Sequence, residues 1–196
     1  MIDFLHGILS ERTATRAVID VGGVGYGVAI SLTTYEQLPA TGTEVHLQTF
    51  TYVREDRLEL FGFADPEERR MFILLLSVSG IGPNSAQTIL SGMSVADLQR
   101  AITQDLVTEL TQIRGVGRKT AERIVIDLRD KVTAMSDPSP TQGLSRTGGV
   151  AGEAVMALVA LGIAEAAASK SVDKAMGRAS SEPTIQELIK SALRER

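Results

Sequence analysis

Three features of the sequence predict an α+β, multidomain fold. Short β-rich segments with turn residues run to residue 64, helical patterning with an internal duplication begins at residue 65, and a tract rich in Ser, Pro, Thr and Gly covers 134–149. They divide the chain into an N-terminal β-barrel at 1–64, a helical domain at 65–133, a flexible linker at 134–149 and a small three-helix domain at 150–196.

The barrel is read from strand signals. Residues 16–30 run as strand, glycine-rich turn at 22–27, and strand. Further β-rich segments at 44–53 and 58–63 flank Arg54-Glu55-Asp56-Arg57, which has the polarity of an exposed hairpin tip. Short strands with almost no helical periodicity predict a closed barrel of the OB type. At Asp65-Pro66-Glu67-Glu68 the pattern changes. An N-cap Asp, a Pro at the first helical position and two first-turn acids announce a helix. Helical patterning continues to about residue 132, broken by turns at 79–83, 91–93 and 114–117. The 134–149 tract has too little apolar content to offset its ordering entropy. Beyond it, segments 153–161, 164–176 and 185–193 read as three short helices with apolar residues at helical spacing.

Composition narrows the function. The chain of 196 residues has no cysteine, which excludes disulfides, thiolate metal sites and a cysteine nucleophile and fits a reducing cytoplasm. An early acid, Asp3, and the lack of a basic segment before an apolar one argue against a signal peptide, and no apolar run is long enough to span a bilayer. The net charge of −4 is unevenly placed: residues 1–64 hold four basic and eight acidic groups, while 65–133 hold nine of each. Within that middle third Arg114, Arg118, Lys119 and Arg123 face one acid, Glu122, so a basic surface exists locally.

The duplication carries the functional reading. Residues 75–90 laid over 110–125 match Leu75 with Leu110, Gly80 with Gly115, Gly82 with Gly117, Ala86 with Ala121 and Ile89 with Ile124. In each copy a helix ends, Gly-x-Gly makes a tight turn, and a second helix starts at once, which is a helix-hairpin-helix. The first amides of that second helix lack intrahelical partners and, with the helix dipole, form an anion site that a DNA phosphate can approach over the glycines. Ile81 and Val116 are expected to point inward and lock the turns. Pro83 and Asn84 open one helix, and Arg118 and Lys119 open the other. Arg123, one turn onward, is expected to add a charge-assisted contact. Such contacts read no base, so binding should be sequence-independent and salt-sensitive.

Other motifs are weaker. Residues 115–120 lack the glycine spacing and preceding strand of a phosphate loop, and Gly23-Val24-Gly25-Tyr26-Gly27 lacks the dinucleotide register. His6 and His46 stand alone without a second ligand at metal spacing, and no Ser-His-Asp signature is present. No catalytic centre, metal or cofactor is expected. A general duplex-binding accessory module stays open at this point, as does a nuclease or ATPase, which the missing carboxylate cluster and phosphate loop oppose.

The whole chain closely resembles the RuvA family, the Holliday-junction-binding subunits of bacterial branch-migration complexes. The resemblance rests on Ile-Asp-Val-Gly-Gly-Val-Gly-Tyr at 19–26, Val53-Arg54-Glu55-Asp56, Leu60-Phe61-Gly62-Phe63, both hairpins, Ile89-Leu90-Ser91-Gly92-Met93, Lys119-Thr120-Ala121-Glu122-Arg123 and Ala157-Leu158-Val159-Ala160-Leu161-Gly162. It implies an OB-fold barrel, a tandem helix-hairpin-helix domain and a mobile, UBA-like three-helix domain. It further implies a homotetramer, or an octamer on DNA, that holds a four-way junction open and square-planar. The C-terminal domain would dock the hexameric ATPase RuvB, with Leu158, Leu161 and Ile189 as candidates for the contact, and a junction resolvase would be a further partner. Arg54 joins the DNA-binding set, and Glu55 and Asp56 correspond to central acidic pins whose charge repels phosphates at the crossover. One departure is plain. The family commonly carries a basic residue after Gly82-Pro83, where this chain has Asn84-Ser85, so the second hairpin should contribute more to binding.

Overall fold

The computed structural model describes residues 1–136, 150–177 and 183–194. The chain separates into two compact units, Met1–Ser136 and Asp137–Arg196.

The first unit begins with five strands closed into a barrel: β1 (Phe4–Thr13), β2 (Arg16–Val21), β3 (Val24–Ile30), β4 (Glu44–Val53) and β5 (Leu58–Phe63). The order is β1-β2-β3-β5-β4, with β4 pairing back onto β1. All pairings are antiparallel except β3 with β5. This is the OB-type barrel expected. Alternate residues Leu5, Leu9, Ala17, Ile19, Val28, Ile30, Val45 and Leu47 fill it. The glycine-rich turn is shorter than expected. Only Gly22 and Gly23 turn, with φ of 62° and 91°, and Asp20 accepts from the Gly23 amide at 2.7 Å. Two consecutive positive φ values match the right-handed strand twist, so Val24–Ile30 is already strand.

Between β3 and β4 lies α1 (Leu32–Gln37), which the sequence pattern did not announce. Ser31 caps it by accepting from the Thr34 amide at 2.9 Å. It also ties the barrel to the helices that follow. The Leu32 amide donates to Ser91 Oγ at 3.0 Å and Thr33 Oγ1 donates to the Leu90 carbonyl at 2.8 Å.

Those helices are α2 (Pro66–Leu76), α3 (Pro83–Gly92), α4 (Val95–Thr103), α5 (Val107–Leu110) and α6 (Arg118–Ser136). Asp65 caps α2 through the Glu67 amide at 2.7 Å, with Pro66 in the first turn, as expected. The switch to helix at residue 65 is not a break in packing. Phe61 and Phe63 of β5 belong to the helical core, with ring centroids 5.2 and 5.0 Å from Phe72 of α2. Nor does α6 stop at residue 133; it runs to Ser136, so the first residues assigned to the linker are helical. The rest of that tract, 137–149, lies outside the described residues.

The second unit holds α7 (Val150–Ala160), α8 (Glu165–Met176) and α9 (Ile185–Arg194) around Ala154, Val155, Leu158, Ala168, Val172 and Leu188. Among the described residues no helix is long and apolar enough to cross a membrane.

Candidate nucleic-acid interface

The duplication in sequence is a duplication in geometry. At an offset of 35 residues, the amides of Ser77, Val78, Ile81 and Ala86 donate to the carbonyls of Leu74, Leu75, Val78 and Gly82. The amides of Gln112, Ile113, Val116 and Ala121 donate to the carbonyls of Glu109, Leu110, Ile113 and Gly117. Gly80 and Gly115 both take positive φ, 91° and 84°, a region that L side chains enter only with strain. Ile81 and Val116 are both buried in the core of the helical part, which fixes each turn to it as expected.

What each turn leaves open is the start of the next helix. The first backbone bond of α3 runs from Ala86 to Gly82 and that of α6 from Ala121 to Gly117, both at 2.9 Å. The amides of Asn84 and Ser85, and those of Arg118, Lys119 and Thr120, therefore have no partner within their helices. Pro83 has no amide to offer, so the second turn presents one more donor than the first. Gly82 contributes no side-chain cap, and neither α3 nor α6 carries an acid in its first turn, in contrast to α2 and α4. Placing Arg118 and Lys119 at the positive end of a helix is locally unfavourable. An anion bound there reverses the sign of that interaction.

The cations are not equivalent. Arg118 Nε bonds Glu122 Oε1 at 2.9 Å, and this exposed pair holds the guanidinium pKa above its ordinary value. Arg123 is held at the first turn. Its Nη1 donates to the Ser79 carbonyl at 2.8 Å, reaching across to the first turn. Lys119 is exposed and forms no ion pair among the described residues.

A cleft of about 530 Å³ lies beside the first turn, between Gly82, Pro83, Asn84 and Ser85 on one side and Tyr52, Arg54, Asp56, Arg57 and Glu59 on the other. The tip at 54–57 is closed by the Arg54 amide bonding the Arg57 carbonyl at 2.9 Å. Its charges are sorted. Arg57 pairs with Asp56 at 3.0 Å and Glu59 at 3.7 Å, while Arg54 Nε donates to the Tyr52 hydroxyl at 2.6 Å. Glu55 and Asp56 are both exposed at the tip, with Asp56 partly neutralised by its neighbour. Sequence reasoning passed over Tyr52, near the end of β4, whose hydroxyl meets Arg54 just beyond that strand.

The remaining candidates separate by burial. Leu158 is fully buried in the core of the second unit and has no surface to offer a partner. Ile189 is half-buried against that core, and Leu161 is 65% exposed. Near Leu161, Met156 and Val159 of α7 are also exposed. His6 and His46, solitary in sequence, are opposed across β1 and β4 with ring centroids 6.1 Å apart. Among the described residues no three His, Asp or Glu side chains gather as a metal site.

Comparison with known proteins agrees along the whole length. Residues 1–62 match the RuvA N terminal domain, 72–130 the SAM-like helix-hairpin-helix tandem, and 149–195 the RuvA C-terminal domain. A protein of Chlorobium phaeobacteroides (strain BS1) is 42% identical over 195 residues, covering 98% of this chain and 97% of its own. Proteins of Chlorobaculum parvum and Desulforamulus reducens are each 42% identical, covering 98% and 100% of this chain and 97% and 98% of their own. All three are named Holliday junction branch migration complex subunit RuvA. With identity at this level from end to end, the chain belongs to the RuvA family.

Proposed function

We propose that this chain is the non-catalytic, junction-binding subunit of a branch migration complex. It binds four-way DNA junctions without regard to sequence, holds them open and square-planar, and loads and guides the hexameric ATPase RuvB during recombination and repair. The observation that carries this reading is the pair of matching turns, each ending in a helix start with unpartnered amides and no acidic cap. Gly80, Ile81, Gly82, Pro83 and Asn84 form one phosphate grip, and Gly115, Val116, Gly117, Arg118 and Lys119 form the other. Lys119 supplies the unpaired charge, and Arg54 lies across the cleft from the first grip.

Glu55 and Asp56 serve as the acidic pin. In a four-fold tetramer their copies would meet near the axis and repel phosphates at the crossover, which disfavours continuous duplex there. Two tetramers facing each other would make an octamer on DNA. Leu161 and the edge of Ile189 are the docking residues for RuvB, with Leu158 holding the fold beneath them. A cytoplasmic, nucleoid-associated location and contact with a junction resolvase follow from the same reading.

The test is a gel-shift competition between a synthetic four-way junction and linear duplex of equal length, in magnesium with excess competitor duplex. Strong junction preference, reduced by Glu55→Lys with Asp56→Lys, supports the reading. Equal affinity leaves a general duplex binder.

A further inference from the structure

Two arginines share the four-residue tip between β4 and β5, and their surroundings differ in kind. Arg57 faces two carboxylates, Asp56 and Glu59. Arg54 faces none among the described residues; its guanidinium lies over the Tyr52 ring, 5.2 Å from the centroid, and its Nε is fixed by the Tyr52 hydroxyl. The ring is itself held. It packs edge-on against Phe61 at 6.4 Å, and Phe61 is 1% exposed and lies tilted against Phe72 of α2, 5.2 Å between ring centroids. A rigid path therefore runs from the hydrophobic core to a guanidinium on the surface.

An arginine paired with carboxylates meets a phosphate with its field partly offset by theirs, whereas one held by a neutral ring and hydroxyl has no such neighbour to compete with the phosphate. Holding it also removes the entropic cost of ordering a long side chain when a ligand arrives. The cleft it lines has the first hairpin as its other wall, where Asn84 holds the position that Lys119 holds in the second repeat.

We propose that Tyr52 is a positioning residue that presents Arg54 as a fixed phosphate-binding charge beside the first hairpin, so that the barrel supplies the cation this hairpin lacks. The inference rests on the DNA-binding reading above and adds a residue to it.

A double-mutant cycle on the full chain tests it. Affinity for a four-way junction and for linear duplex is measured for wild type, Tyr52→Phe, Tyr52→Leu, Arg54→Ala and both double variants, with thermal midpoints recorded for each. Tyr52→Leu is expected to weaken binding about two- to tenfold in wild type and to have no further effect once Arg54 is alanine. Tyr52→Phe keeps the ring on Phe61 and so the fold; it is expected to lose part of the same affinity, again only when Arg54 is present. Arg54→Ala should also lower the salt slope by about 0.9 for each arginine at a phosphate. Equal losses in both backgrounds, no loss with either Tyr52 variant, or an unchanged affinity and slope for Arg54→Ala would each overturn the proposal. A wild type without junction preference defeats the junction reading instead, and the cycle remains readable on duplex.

Discussion

Arg123 of α6 donates from Nη1 to the carbonyl oxygen of Ser79, 2.8 Å away, so a side chain of the second repeat closes the turn of the first. Lys131 does the same a little further along, with Nζ 3.2 Å from Ser77 Oγ. The two repeats are thus joined by side chains as well as by their shared core. Loss of the Arg123 bond is expected to cost about 0.5–1.5 kcal/mol in unfolding free energy. Arg123→Ala should also weaken junction binding. Arg123→Lys, which keeps the charge but not the planar reach, should fall closer to alanine than to wild type, measured by denaturant melts and gel shifts in parallel. A lysine variant that binds as wild type would mean that Arg123 acts by charge alone.

The two grips should contribute unequally. Lys119→Ala is expected to weaken junction binding at least about fivefold, the equivalent of about 1 kcal/mol, and to lower the salt slope by about 0.9 for each lost phosphate contact. Asn84→Ala leaves the free backbone amides of α3 in place and should cost less. Fluorescence anisotropy titrations over a range of salt concentrations measure both quantities, and a larger loss with Asn84→Ala would reverse the assigned ranking.

Gly80→Ala and Gly115→Ala test the turns directly. An added Cβ at Gly115 meets nothing within 4 Å, and at Gly80 it meets only the Arg123 guanidinium at an ordinary 3.7 Å. The cost is therefore backbone strain at positive φ, about 1–2 kcal/mol for each, read by thermal denaturation. Junction affinity should fall with it, because relief of the strain rotates the amides that follow.

Glu68 gives the unit a pH dependence. Its carboxylate is buried, 1% exposed, and accepts from the Ser31 and Thr34 hydroxyls, the latter at 2.6 Å. Burial pushes the Glu68 carboxyl above its usual range, with nearby Asp65 adding to the effect and the two hydroxyl bonds opposing it. The folded chain thus holds this proton at a pH where the unfolded chain has released it. The corresponding stability is full below the ordinary carboxylate pKa and is lost as pH rises through the raised folded value. Between those two points, lowering the pH should favour wild type over Glu68→Gln in denaturant melts. A constant difference between the two proteins would contradict the shift.

In the second unit, Leu158→Ala should destabilise the three helices by about 2–5 kcal/mol, because the side chain is fully buried. Leu161→Asp should leave their melting unchanged and weaken pull-down of RuvB. Weakened capture by Leu158→Ala without loss of stability would move the contact back to Leu158.

The legible parts of the fold were those set by local rules. Gly80 and Gly115 announce a conformation that other residues avoid, Asp65-Pro66 announces a helix start, and a repeated apolar spacing fixes which face turns inward. The parts that were not legible depend on distant partners. Helix α1 is six residues of Thr- and Tyr-containing sequence with weak intrinsic preference, held by Glu68, Leu90 and Ser91 from well beyond it. Strand β1 carries outward Phe4, His6 and Ile8, and no turn residue marks its start. Glu68 reads as a first-turn acid and becomes a buried acceptor only when Ser31, 37 residues earlier, arrives beside it. The same holds for the site. Arg123 was visible as a cation of α6, but its use by Ser79 exists only once the two repeats are packed together.

The most direct measurement of the central claim is the geometry of a bound junction. A synthetic four-way junction in magnesium, labelled with donor and acceptor on successive pairs of arm ends, gives unequal transfer efficiencies when its arms stack in pairs. With the protein bound, the four adjacent-arm efficiencies are expected to converge on one value, as an open square requires. Persistence of the unequal, stacked pattern at saturating protein would contradict the claim that this chain holds the junction open.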